Sequence, residues 1–153
     1  MSNPEEVLYE VDGHIATITL NAPERMNTIS GPMLDQLTGR LLAAAADKDV
    51  RCVILTGRGR AFCAGLDLRA QTQGKGLMSG GVAATTLDLR NTPPTVLHAM
   101  ETPIICAVNG GAAGYGMDTA LGCDIRIMAK SAKFAAAFCK RGLLPESGGT
   151  WFL

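Results

Sequence analysis

An α/β fold with a largely parallel sheet is the architecture this sequence predicts. Three observations point to it. Val53-Ile54-Leu55 and Pro103 to Val108 are short apolar runs of the kind strands show when both faces of their sheet are covered. Each run is followed by a cluster of small residues, Ala61 to Gly65 in one case and Gly110 to Gly116 in the other. Segments with helical periodicity separate the apolar runs, and strands alternating with helices favour parallel pairing.

The elements follow in order. Val7 to Val11 and His14 to Leu20 alternate apolar and polar residues around Asp12-Gly13, which predicts a hairpin with Asp-Gly as its turn. A polar segment, Asn21 to Asn27, leads to a helix from about Gly31. Leu34, Leu37, Leu41 and Ala45 share one face of that helix. Arg51 to Thr56 is a buried strand. Residues 57–81 are rich in Gly, Arg, Gln and Ser, apart from the apolar island Ala61-Phe62-Cys63-Ala64-Gly65. A helix starting near Val82 or Thr86 and ending at Met100 precedes the strand Pro103 to Val108. Gly110 to Gly116 is a turn, Met117 to Gly122 a short helix and Ile125 to Met128 a strand. Lys133 to Ala136 is ambiguous, and Leu143 to Thr150 is a Gly/Pro loop. Gly148-Gly149-Thr150 before Trp151 reads as the entrance to a helix. The 153 residues are therefore expected to form one core domain that continues past Leu153.

Composition narrows the function classes. The chain is 47% hydrophobic and 18% charged, which excludes a disordered chain. Its 14 basic and 14 acidic side chains cancel and no basic stripe is visible, so nucleic acid is not an expected partner. No apolar run approaches the ~20 residues of a membrane span. Five cysteines without a CxxC pair fit a reducing compartment, and a cytoplasmic protein is expected.

Two segments carry the chemistry. Arg60 to Leu68 and Ala107 to Asp118 both follow buried strands, and ligands of α/β sheets bind at the C-terminal ends of strands. Small residues leave backbone N–H groups accessible, and a helix start adds unpaired donors. Two such loops facing each other can aim two N–H groups at one oxygen, an oxyanion hole. Close-packed turns use glycine as well, so the pattern by itself leaves both readings open.

Ala61-Phe62-Cys63-Ala64-Gly65-Leu66-Asp67-Leu68 resembles the first signature of the crotonase (enoyl-CoA hydratase/isomerase) superfamily. Ala107-Val108-Asn109-Gly110, Cys123-Asp124-Ile125-Arg126-Ile127 and Gly142-Leu143-Leu144-Pro145 resemble the second, and Leu20 to Asn27 is similar to the family's opening segment. The resemblance covers nearly the whole chain in the right order. It implies the ClpP/crotonase fold, a spiral of β–β–α turns, here ending before the C-terminal helical region. It also implies an acyl-CoA thioester substrate and a homo-oligomer, a trimer or hexamer. No cofactor is implied, because coenzyme A is part of the substrate. Carried over by position, the oxyanion donors are Ala64 and Tyr115, with Gly114 beside the second. Arg25, Met26, Ala61, Cys63, Gly65, Asp67 and Leu68 fall in the CoA-contacting segments, and Arg58 and Arg60 stand where CoA phosphates could be met.

The acid/base positions depart from a typical hydratase. Where such an enzyme has its first Glu, three residues after the second donor, this chain has Asp118, one helical turn beyond Tyr115. That carboxylate is either catalytic or a partner of the helix dipole. The second Glu would fall at Phe138, which cannot transfer a proton. Glu146 stands where some isomerase branches place their acid/base carboxylate, and is otherwise a solvated loop residue or a helix cap. Hydration and isomerisation both remain open, as does hydrolysis of another acyl-CoA. Phe138 favours a different class, a non-catalytic acyl-CoA-binding relative. The glycine pattern Gly110-xxx-Gly114-x-Gly116 also resembles a nucleotide loop, but too little chain follows it for the rest of a dinucleotide domain. His14 and His98 have no Ser or Cys partner in sequence and are read as structural.

Overall fold

The hairpin forms as expected, with its turn displaced by one residue. In the computed structural model, which describes residues 5–69, 92–139, 142, 144 and 147–152, β1 (Val7–Asp12) pairs antiparallel with β2 (Ile15–Leu20). Asp12 pairs with Ile15, so Gly13-His14 rather than Asp12-Gly13 makes the connection. Gly13 takes a positive φ of 57°, which a glycine adopts without steric cost.

After a single 3-10 turn (Pro23–Arg25), α1 (Gly31–Ala46) begins at a Ser30 cap whose Oγ accepts from the Met33 N–H at 3.1 Å. Ser30 also donates to Glu6 Oε2 at 2.5 Å, tying the helix start to the strand β1. Met33, Leu34, Leu37, Leu41 and Ala44 are the buried stripe. Ala45, expected on that face, is exposed. One residue is 100° of helix, enough to turn it from the core to solvent.

The chain then runs through β3 (Cys52–Gly57), β4 (Ala61–Cys63), α2 (Pro93–Ala99), β5 (Ile104–Val108), β6 (Gly111–Ala113), α3 (Tyr115–Leu121), β7 (Ile125–Met128), β8 (Phe134–Ala135) and α4 (Gly149–Phe152). The expected helix before Met100 is described only from Pro93. Its proposed start at Val82 or Thr86 lies outside the described residues, as does the whole Gln71–Gly81 segment. β4 and β6 fall where the sequence reads as turns, and Lys133 to Ala136 contains the two-residue strand β8. Three residues are too few to show a period, so only pairing reveals these strands.

From β3 onward the strands enter two sheets alternately. The first has the order β1-β2-β3-β5-β7, parallel beyond the opening hairpin, and the second has the order β4-β6-β8, parallel throughout. Each later turn of the chain thus contributes one strand to each sheet, within the β–β–α spiral expected. Register lines the core up in rows. Ala16, Val53 and Ile104 are neighbours across three strands, and so are Ile18, Leu55 and Cys106. All six are buried under α1 and α2. β7 is the sheet edge, and Ile125 and Ile127 are 54% and 63% exposed there.

Leu37 is fully buried at the centre of the α1 stripe. Leu37→Ala should destabilise the protein by about 3 kcal/mol. Leu42→Ala, on the exposed side of the same helix, should stay within about 0.5 kcal/mol. Equilibrium urea unfolding of the two variants checks the contrast.

Candidate functional site

β4 and β6 are parallel neighbours, with Ala61 opposite Gly111 and Cys63 opposite Ala112. Their C-terminal ends therefore deliver the two loops singled out in the sequence, 64–68 and 114–118, side by side. The approach is close because glycines allow it. A Cβ on Gly65 would lie 2.9 Å from the Ala113 carbonyl oxygen and 3.9 Å from the Tyr115 nitrogen, and Gly65 itself holds a φ of 102°. A Cβ on Gly116 would overlap Cys63, with Cβ and Sγ both 2.7 Å away. Helix α3 thus starts directly against the β4 loop, and any side chain at 65 or 116 would push them apart.

The Ala64 N–H, expected as an oxyanion donor, is engaged within the protein. It donates to the Met26 carbonyl at 3.0 Å. Ile29 N–H donates to Gly65 O at 2.8 Å and Asp67 N–H donates to Ile29 O at 2.9 Å, a parallel bridge between Ile29 and Leu66. In such a bridge the middle residue turns its own N–H to the opposite side. The Leu66 N–H accordingly makes no hydrogen bond among the described residues. Leu66, two residues beyond Ala64, is thus the residue of this loop whose N–H is a candidate donor. At the second loop, Tyr115 is the first residue of α3, where helix donors point out of the N-terminus. Gly114 is not a donor to the site. Its N–H is used by the Ala135 carbonyl at 3.0 Å, and its positive φ of 51° turns the chain into the helix.

The remaining sequence candidates separate. Met26 and Leu68 are 38% and 40% exposed beside the loop, in position to meet a ligand. Cys63 is fully buried against Gly116, and Ala61 is buried with its carbonyl engaged twice, so their side chains do not offer a contact surface. Arg25 is turned inward. Its guanidinium meets Glu6 at 2.7 Å and Asp67 at 3.6 Å and donates to the Thr28 carbonyl at 2.7 Å. Arg25 and Asp67 therefore brace the loop from behind. Arg58 and Arg60 are exposed on the turn between β3 and β4. His14 bonds the Asp49 carbonyl at 2.8 Å and His98 packs edge-on to Phe152, both structural roles.

Asp118 is 0% exposed. Its carboxylate lies against the backbone of Gly149, where an added Cβ would be 2.9 Å from the carboxyl carbon. Phe138 is buried, its ring 3.9 Å from a Cβ placed on Gly114. An aromatic ring thus flanks the α3 turn where a second carboxylate was sought. Glu146 lies outside the described residues. Among the described residues, no cluster of His, Cys, Asp and Glu is arranged to hold a metal ion, and no helix is long and apolar enough to cross a membrane.

Two asparagines that hold the backbone beside the loop 64–68 were not singled out from the sequence. Asn27 is 0% exposed with a positive φ of 53°. Its Oδ1 accepts from the Ala22 N–H at 2.8 Å, and its Nδ2 faces the carbonyls of Arg58, Ala61 and Phe62 at 3.0, 2.9 and 3.1 Å. Asn109 accepts from the Gly57 N–H at 3.2 Å and donates to Gly59 O at 2.9 Å and Ala61 O at 3.4 Å. Asparagine's tolerance of left-handed backbone is a sequence-level hint for Asn27. Nothing local marks its reach of more than thirty residues.

A family model described as enoyl-CoA hydratase/isomerase matches residues 10–153. The chain is 43% identical over 149 residues to 1,2-epoxyphenylacetyl-CoA isomerase of Escherichia coli, covering 97% of this chain and 57% of that protein. It is 40% identical over 162 residues to a probable enoyl-CoA hydratase of Mycobacterium tuberculosis, covering 100% and 58%. Among solved structures, an enoyl-CoA hydratase/isomerase from Mycobacterium abscessus superposes with a TM-score of 0.83 at 34% identity, covering 95% of this chain and 56% of that one. An enoyl-CoA hydratase from Mycobacterium tuberculosis gives 0.82 at 30%, covering 97% and 55%. The chain spans little more than half the length of each of these relatives.

Burial pushes the Cys63 thiol up from 9.0 to about 12. The unfolded thiol ionises near its ordinary value while the folded one stays protonated, so this contribution to stability is whole below pH 9 and lost as the pH rises towards 12. Between those limits the wild type should lose about 1.4 kcal/mol more per pH unit than Cys63→Ala. Urea unfolding of both proteins at a series of alkaline pH values measures the difference in slope.

Proposed function

This chain belongs to the enoyl-CoA hydratase/isomerase family, and from that premise we propose that the protein works on acyl-coenzyme A thioesters by stabilising a thioester enolate. The observation that carries the reading is the Leu66 N–H, which bonds to no described residue, on a loop held across Gly65 against the start of α3, where the Tyr115 N–H stands. A thioester oxygen bound between the two N–H groups gains negative charge as the α-carbon loses a proton, and fixed dipoles stabilise that charge without reorganising. No further cofactor is called for, since coenzyme A travels with the substrate.

Of the family's reactions, the described part of the site favours proton transfer through one carboxylate over two-carboxylate hydration. Phe138 beside the Gly114 turn supports this, because a buried ring in that position transfers no proton. Asp118, buried beside the same helix start, and Glu146, assigned from its place in the sequence, are the candidates. A base removing the C2 proton of a 3-enoyl thioester would leave a dienolate in the hole, and return of the proton to C4 would give the conjugated 2-enoyl ester. The apolar sheet edge at Ile125 and Ile127 supports a homo-oligomer, and free thiols at all five cysteines support a reducing compartment such as the cytoplasm.

The enoyl-thioester absorbance of the intact protein's reaction mixture tests the reading. A 3-enoyl-CoA should gain the conjugated band, and the rate should fall by about 10³-fold or more in whichever of Asp118→Asn and Glu146→Gln removes the acting base. Loss of the band from a trans-2-enoyl-CoA, abolished by both substitutions, would instead establish hydration. No change with either ester, together with tight binding that neither substitution weakens, would make the protein a binder.

A further inference from the structure

The turn between β3 and β4 is held by side chains in a manner that the oxyanion reading does not account for. Residues Arg58 to Ala61 leave the first sheet and enter the second. The β4–β6 pairing is irregular between Ala61 and Cys63, and side-chain amides meet the carbonyls along this stretch. Asn27 Nδ2 faces Arg58, Ala61 and Phe62 from one side, and Asn109 Nδ2 reaches Gly59 and Ala61 from the other. The Ala61 carbonyl is shared between the two amides. Asn27 pays for its place with backbone strain. It and Met26 are the two non-glycine residues with positive φ among those described, at 53° and 56°, and a non-glycine residue in this region persists where its surroundings over-determine it. The segment leaving the turn is tied along its length to the same stretch of chain. Ala64 bonds Met26, and Gly65 and Asp67 bond Ile29. Asn27 therefore anchors one end of a short strut whose other end is the unengaged Leu66 N–H.

We propose that Asn27 and Asn109 are positioning residues for the thioester-carbonyl site, setting the direction of the Leu66 N–H through β4. Neither touches the substrate. This rests on the oxyanion reading above, and the test separates the two. The readout is the carbonyl stretch of a trans-2-enoyl-CoA bound to the intact protein, measured by difference infrared spectroscopy, because two well-aimed donors weaken the C=O bond and lower its frequency. Asn27→Asp keeps the acceptor for Ala22 but turns an anion towards three carbonyls. Asn109→Ala removes the outer clamp alone.

In the folded variants most of the downward shift should be lost. For Asn27→Asp, kcat should drop by about 10²-fold, the scale of losing one hole donor, with KM changed less than about threefold. Asn109→Ala should show a smaller loss of both. A substitution that merely loosened the fold would lower the melting temperature while leaving the carbonyl shift of the folded fraction intact. If Asn27→Asp does not fold, Asn109→Ala, at a half-buried position, decides the matter by the same shift. Folded variants that keep the wild-type shift and kcat overturn the positioning role while leaving the hole standing. A wild-type protein that binds the ester with no shift overturns the hole itself, and the positioning role with it.

Discussion

Carbonyl groups that leave one sheet to enter another must find donors outside any ladder, and in this protein two asparagine amides supply them. A buried carbonyl left without a partner costs about 1–3 kcal/mol; those of Ala61 and Phe62 are buried against the Asn27 amide, and the more exposed ones of Arg58 and Gly59 are met by the same two asparagines. Meeting that demand fixes the path from β3 into β4. The path in turn fixes where Ala64, Gly65 and Leu66 come to rest. The spiral repeats the sheet-to-sheet crossing at each turn, and this is the crossing on which the candidate site is built.

Glycine does the complementary work of letting backbones meet. Gly57, Gly65, Gly110 and Gly116 each leave no room for a Cβ. At Gly57 the obstruction includes the Phe62 carbonyl at 2.5 Å and Asn27 Nδ2 at 2.9 Å, so the asparagine clamp closes only over a bare Cα. At Gly116 it is Cys63, whose thiol is buried in the gap and held protonated by that burial. Hydrogen-bond donors from the asparagines and absent side chains at the glycines together bring the loops 64–68 and 114–118 into contact.

The same economy shapes the acid/base side of the site. A fully buried carboxylate at Asp118 rests on Gly149, and a buried ring at Phe138 flanks Gly114. Both elements are contributed by parts of the chain more than twenty residues from the first loop, packed onto it by α3 and α4. The Arg25–Glu6–Asp67 group works in the same sense from behind. A charge cluster that sequence resemblance places towards coenzyme A is spent within the protein, holding the hairpin, the start of α1 and the oxyanion loop as one unit.

The sequence by itself determined the β–α order, the hairpin, the α1 stripe of Leu34, Leu37 and Leu41, the buried strands and the two small-residue loops. Each of these depends on residues close in the chain, where period and turn chemistry are readable. Family membership was equally legible, because the motifs carrying it are contiguous. Tertiary structure alone decided the rest. β4, β6 and β8 exist only by pairing. That the Ala64 N–H is engaged while the Leu66 N–H is turned to the opposite side follows from the bonds to Met26 and Ile29. Asn27 and Asn109 look like ordinary loop residues until the turn they hold is brought to them. A backbone donor is defined by what does not bond to it, and that is a property of the folded neighbourhood rather than of any residue's identity.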